Sequence, residues 1–393
     1  MFKKIAFIFL GFIFFLILSF FLIILNLNYL LNNSQIKNGL SNFLKENYKI
    51  ELNYDEIKVK ILQKKAFIKN LSFKSSQYEL FLPEGAFIFS LSKILKLNFI
   101  PKEIDTKNAY LKIYKTEKPF QLKDLIETFS KLYPLYLNAN NITLDYEIPS
   151  EWIKFKELNL KLRVDKYQAL YELDSKADLF ESVSFKGRFN YRNLFSENSL
   201  EIKNLNLSNL KKLAEYGILE ISLNIKSEIV FEKDTLNIAF VISNPYVFLK
   251  KAPSEKLLGG YIEGLVVSNK AQTKINLNPL IINYPKVNGS FDLTKDKEGC
   301  KILVDAKELN FSDIESILLK IFPENEDVKG FLTILRGGEF YNIKVETSGN
   351  NIEDIFQIKN LTLKANFDKG KIKISELPFD FEDIKGEVSL EKG

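Results

Sequence analysis

Only one residue of this chain offers a thiol, Cys300, and none offers an imidazole, because histidine is absent. A nucleophilic cysteine or serine needs a base beside it. The lack of His therefore excludes Ser-His-Asp and Cys-His catalysis, histidine metal ligation and the usual near-neutral proton shuttle. A single cysteine also rules out an intramolecular disulfide and a thiolate metal cage, so Cys300 reads as a packing residue. Glu324, Glu326 and Asp327 cluster after Pro323 without paired spacing, which suits a solvated acidic turn better than a calcium or acid/base site. Gly259-Gly260-Tyr261-Ile262-Glu263-Gly264 lacks the lysine and the strand-to-helix setting of a phosphate loop, and Gly337-Gly338 is most simply a hairpin turn. Arginine is confined to Arg163, Arg188, Arg192 and Arg336, and Lys and Glu interleave to a net charge of +5. No dense basic block marks a nucleic-acid partner. The chain reads as a non-enzyme with no cofactor and no metal.

What remains is apolar patterning, and the elements that would carry it. Ile5–Leu25 is uncharged, broken only by Gly11 and Ser19. As a helix it would measure roughly 31 Å, the thickness of a bilayer core. It is too long for a signal-peptide core, and Asn26-Leu27-Asn28 is no cleavage site. Lys3 and Lys4 place the N-terminus in the cytoplasm. The expectation is a single-pass anchor with the bulk of the chain outside the cytoplasm. Export without disulfides fits a bacterial envelope, so inner membrane and periplasm are the expected locations.

Next, Ser34 is placed to cap an amphipathic helix carrying Ile36, Leu40, Phe43 and Leu44 on one face. Such a helix lies on the bilayer, plugs the end of a sheet or, more commonly, packs on its own domain. From Ile50 the dominant signal is period-two alternation, the mark of half-buried antiparallel strands. Ile142, Leu144, Tyr146 and Ile148 alternate with polar residues. So do Leu158, Leu160, Leu162 and Val164; Leu219, Ile221, Leu223 and Ile225; and Leu361, Leu363, Ala365 and Phe367. Tyr and Phe number 51, and most fall on the apolar phase, as core or groove lining rather than a platform for sugars or bases.

Two motifs recur. Ile68-Lys-Asn-Leu-Ser-Phe73, Ile202-Lys-Asn-Leu-Asn-Leu207 and Ile358-Lys-Asn-Leu-Thr-Leu363 share one strand pattern. Phe185-Lys-Gly-Arg-Phe189, Val287-Asn-Gly-Ser-Phe291 and Ile384-Lys-Gly-Glu-Val388 share a second, whose mid-strand Gly suggests a bulge or bend. Short covering helices are expected at Gln121–Leu132, Asn209–Tyr216 and Asp313–Ile321. The chain stops three residues after Leu390, as a fragment of a longer protein would. The expected organisation is an anchor at 1–30, an N-terminal module at 31–119 and a repeated body at 120–393.

The order of anchor, amphipathic helix, Tyr48-Lys-Ile-Glu-Leu52, Ile57-Lys-Val59, the Ile68–Phe73 strand, a short helix at Leu91–Leu95 and Ile104–Tyr114 resembles the AsmA-like family of bacterial envelope proteins. The later repeats resemble the body of its larger members, TamB and YhdP among them. The resemblance lies in pattern and order, with no catalytic motif to carry over. It implies a mainly β (α+β) fold: a transmembrane helix, then an elongated, curved antiparallel β-sheet groove with short capping helices. It also implies a role in cell envelope biogenesis, conducting phospholipid acyl chains between membranes. Alternation alone fits an open groove and a closed sandwich core equally; the resemblance favours the groove. The implied lining is Ile142, Leu144, Tyr146, Leu158, Leu160, Leu162, Leu219, Ile221, Leu223, Ile225, Leu361, Leu363 and Phe367. The partners would be phospholipid and the inner membrane. The alternative is an anchored scaffold or chaperone for outer-membrane assembly, whose partners would be outer-membrane or other envelope proteins.

Overall fold

The computed structural model describes residues 26–90, 101–114, 132–148, 151–207, 218–249, 252–311, 315, 330, 333–355, 360–374 and 378–391. Ile5–Leu25 lies outside them, as do the acidic cluster after Pro323 and all or nearly all of the helices expected at Leu91–Leu95, Gln121–Leu132, Asn209–Tyr216 and Asp313–Ile321. Among the described residues no helix is long and apolar enough to cross a membrane.

Among the described residues the protein is mainly β, with twenty strands in mixed sheet, and it divides into two compact units, Met1–Ala169 and Leu170–Gly393. In the first unit the strands are β1 (Glu51–Asn53), β2 (Glu56–Lys60), β3 (Lys65–Lys74), β4 (Tyr78–Ile88), β5 (Glu103–Lys107), β6 (Tyr110–Ile113), β7 (Leu135–Ile148) and β8 (Glu151–Val164). The sheet is not purely antiparallel: β5 and β6 both pair with β7 in parallel. Antiparallel neighbours need only a tight turn. The long connection from Ile113 to Leu135 instead leaves room for the crossover that parallel pairing demands.

The amphipathic helix is present as α1 (Ser34–Tyr48), but its cap is Asn33, whose side chain accepts from the Gln35 and Ile36 backbone N–H groups. Ser34 is one residue too late, because it already lies inside the helix. Residues 26–32 are helical too. Together these helical turns run along the outer edge of β2. Asn28 donates to the Val59 carbonyl at 3.1 Å and accepts from the Val59 N–H at 2.6 Å; Asn32 does the same to Ile57 at 2.7 and 2.8 Å. Farther on, Lys37 donates to the carbonyls of Tyr54 and Asp55, and Lys45 pairs with Glu51 at 3.0 Å. Helix and strands therefore run antiparallel. The helix packs on its own unit through polar contacts and leaves Ile36, Leu40 and Phe43 exposed.

The second unit opens within β9 (Gln168–Ala177) and continues as β10 (Phe180–Asn190), β11 (Phe195–Asn206), β12 (Ile218–Glu232), β13 (Thr235–Leu249), β14 (Ala252–Ser268), β15 (Thr273–Tyr284), β16 (Val287–Lys295), β17 (Cys300–Asn310), β18 (Leu335–Gly349), β19 (Leu361–Lys373) and β20 (Asp380–Glu391). From β10 onward each strand pairs antiparallel with the next. Gly337-Gly338 is not a hairpin turn. It lies inside β18, where the register with β19 shifts, so the pair makes a bulge.

A closed core sits in the β17–β20 region. Ala306, Phe311, Phe340, Ile343, Ala365 and Phe367 are buried together, with the Phe340 and Phe367 rings 5.9 Å apart. Gly386 faces Phe367 across the ladder, and a Cβ there would lie 2.8 Å from the ring. The glycine of that repeat is therefore needed for close approach of an aromatic ring. Cys300 is buried, as a packing residue would be.

Candidate functional site

The strands keep one apolar face despite a bulge in nearly every one, and the Ile-Lys-Asn-Leu motif shows how. Asn70 and Asn204 take left-handed backbone, at φ 49° and 48°. Such a residue advances the chain by one position, so the apolar residues at its i−2 and i+1 positions share a face. The register shows this for β11: Ile202 opposes Ile225 and Leu205 opposes Leu223, two residues apart on β12. The same device recurs with less obvious sequences at Thr106-Lys-Asn-Ala109, Ala139-Asn-Asn-Ile142, Phe155-Lys-Glu-Leu158 and Phe340-Tyr-Asn-Ile343, each with its third residue at positive φ. Asparagine suits the site because it tolerates this backbone and its short side chain reaches a neighbouring segment of the sheet: Asn141 Nδ2 donates to Asn108 Oδ1 at 2.6 Å, and Asn204 Nδ2 donates to Glu181 Oε2.

The consequence is a set of largely apolar rows. In the second unit Phe185, Leu200, Ser227, Phe240, Gly264, Leu277, Phe291, Val304, Val345, Leu363 and Leu390 oppose one another in turn from β10 to β20. At about 4.8 Å per strand this row runs for roughly 48 Å along the sheet. Beside it runs a second row: Val183, Ile202, Ile225, Ile242, Ile262, Leu280, Gly289, Ala306 and Ile343. The first unit has its own row, Val59, Ala66, Phe87, Ile104, Leu137 and Leu162.

Burial divides the apolar face into a closed core and a half-buried stretch. Every apolar side chain of the eleven-strand row is half-buried. Among the described residues, no Val, Ile, Leu, Phe or Tyr between 190 and 299 is fully buried, in contrast to the closed β17–β20 core. The opposite face is wet: Arg188 opposes and pairs with Glu197 at 2.8 Å, and Lys226 with Glu201 at 3.3 Å. These exposed pairs stabilise little, about 0–1 kcal/mol each, but they fix which face meets water. In the first unit Tyr110 donates to Asp145 at 2.8 Å; burial, then the carboxylate, push its hydroxyl pKa up to about 12.

The expected lining residues divide accordingly. Ile142, Leu158 and Phe367 are fully buried and serve as core, and Tyr146 is exposed at 42%. Leu144, Leu160, Leu162, Ile221, Leu223, Ile225, Leu361 and Leu363 are half-buried on the apolar face, and Leu219 lies in β12. The ladder brings Ile142 opposite Leu158, and sets Ile225 and Leu363 in the two rows of the second unit. Sequence reasoning does not single out Phe240, Leu277 and Val304, and takes Phe291 only as part of a strand motif, although the register sets all four in the eleven-strand row. Their alternation is present in the sequence but blurred by apolar residues such as Val241 and Leu303 on the other phase. Gly259 and Gly260 lie mid-strand in β14 with φ of 61° and 118°, a bulge rather than a phosphate cradle. Comparison with known proteins adds no relative: no protein-family model matches the chain, and no curated protein does.

Proposed function

We propose that the protein is an inner-membrane-anchored, periplasmic lipid-binding protein that takes phospholipid acyl chains on its half-buried apolar sheet face and conducts them along it. The observation that carries this reading is the eleven-strand row, apolar in nine members and half-buried in each of those. Moving an acyl chain through water exposes methylenes at about 0.8 kcal/mol each, so a 16-carbon chain faces more than roughly 10 kcal/mol. A continuous apolar strip removes most of that barrier without chemistry. The ordered likeness to AsmA-like proteins and the uncharged Ile5–Leu25 segment support the same reading.

The test is photo-crosslinking in the full chain within membranes. A benzophenone side chain at Phe240 or Phe291 captures phospholipid, and Leu277→Asp lowers the yield, whereas the same probe at Glu228 on the wet face captures little. Capture of protein alone at Phe240 and Phe291 overturns the proposal. Capture of barrel proteins along the β20 edge, with no lipid on the face, favours the assembly scaffold.

A further inference from the structure

We infer that the β2–β3 turn is a membrane-docking tip, set into the headgroup layer of the bilayer that Ile5–Leu25 would span. Leu62, at the end of the turn, is 99% exposed, and Ile61 beside it is also exposed. Lys60, Lys64 and Lys65 flank the pair, and among the described residues none of the three makes an ion pair. An isolated apolar side chain between lysines that lack carboxylate partners is costly in water and suits a lipid surface. There the leucine enters the acyl boundary, and the lysines are drawn to anionic headgroups.

The side on which this tip lies is set by the hydrogen bonds of the helix. Passing from Asn32 to Asn28 leads toward Asn26, and the partners of those residues pass from Ile57 to Val59, toward Leu62. The tip and Asn26, the first described residue after the apolar segment, therefore lie on the same side of the unit. The same end of the sheet presents Lys102, Tyr133, Lys166 and Tyr167: Lys65 opposes Ile88, Ile88 opposes Glu103, and Val164 opposes Leu135. Tyr133 and Tyr167 are exposed, and Lys166 lies 4.9 Å from the Tyr167 ring. Tyr and Lys are the residues that settle at membrane–water interfaces. Trp152, near the opposite end of β8, lies about 40 Å from Val164 along the strand.

The inference rests on the anchored reading, and one experiment separates the two. The full chain is reconstituted in vesicles of phosphatidylcholine and phosphatidylglycerol brominated near the top of the acyl chain. Leu62→Trp in a Trp152→Phe background is expected to lose about half its emission, since an interfacial side chain sits about 5–10 Å deep. In the native chain Trp152 keeps its emission, and adding Lys64→Glu with Lys65→Glu to the Leu62→Trp variant restores the emission of the introduced indole. If alkaline carbonate releases the chain from the vesicles, anchor and docking both fail. If the chain stays integral but the indole introduced by Leu62→Trp is unquenched, or Trp152 is quenched equally, docking alone fails.

Discussion

Left-handed asparagines hold the apolar face together, and their value can be measured one at a time. Asn141 has φ 53°, bonds Asn108 through its side chain and accepts no β-branched replacement without strain. A non-glycine residue forced into this conformation costs about 1–2 kcal/mol, and loss of the side-chain bond adds about 0.5–1.5 kcal/mol. Asn141→Val should therefore lower stability by about 2–3 kcal/mol, and Asn141→Gly by only the smaller amount. Urea unfolding of the two variants checks this. Equal losses would mean that the side-chain bond, and not the backbone conformation, is what asparagine supplies.

Among elements, the β2 edge would be open to unwanted pairing without α1 and the turn before it, which close it with side chains instead of another strand. Each of Asn28 and Asn32 satisfies one N–H and one C=O, spaced four residues along a helix to match two along a strand. Asn28→Ala with Asn32→Ala should speed hydrogen exchange at the Ile57 and Val59 amides about fivefold or more, while Lys58, which points toward β3, stays protected. An unchanged pattern would show that the helix body, not the two amides, shields the edge. This element also marks how far the sequence can be read. Helix α1 is visible from its apolar stripe, and the strands from Ile142, Leu158, Leu219 and Leu361 onward, because both periods are local. The edge pairing is not, since Asn28 and Asn32 meet residues some thirty and twenty-five positions away. The parallel pairing of β5 and β6 with β7 is hidden for the same reason. The repeated Ile-Lys-Asn-Leu is legible as a motif, but its left-handed asparagine becomes meaningful only with the register.

For the molecule as a whole, the proposed conduit and a string of separate binding sites would share the same rows and differ in how damage at one position spreads. Sites in parallel lose only their own share when one is damaged. Steps in series are all slowed by a single obstacle, wherever it stands. A carboxylate at Leu200, Leu277 or Val304 would each interrupt the same row, on three separate strands. Even after the carboxylate takes up a proton, covering the polar group with an acyl chain costs on the order of 1–3 kcal/mol, so each substitution should slow lipid passage about tenfold. If passage is in series, Leu200→Asp, Leu277→Asp and Val304→Asp should depress transfer of a fluorescent phospholipid to acceptor vesicles to a similar degree. Each should also leave crosslinking to lipid at distant row positions largely intact. The wet-face change Glu228→Gln should leave transfer unaltered. Transfer that falls in proportion to the number of substituted positions, with each site losing only its own lipid, would identify a multi-site lipid reservoir, with the same apolar face but no through-path.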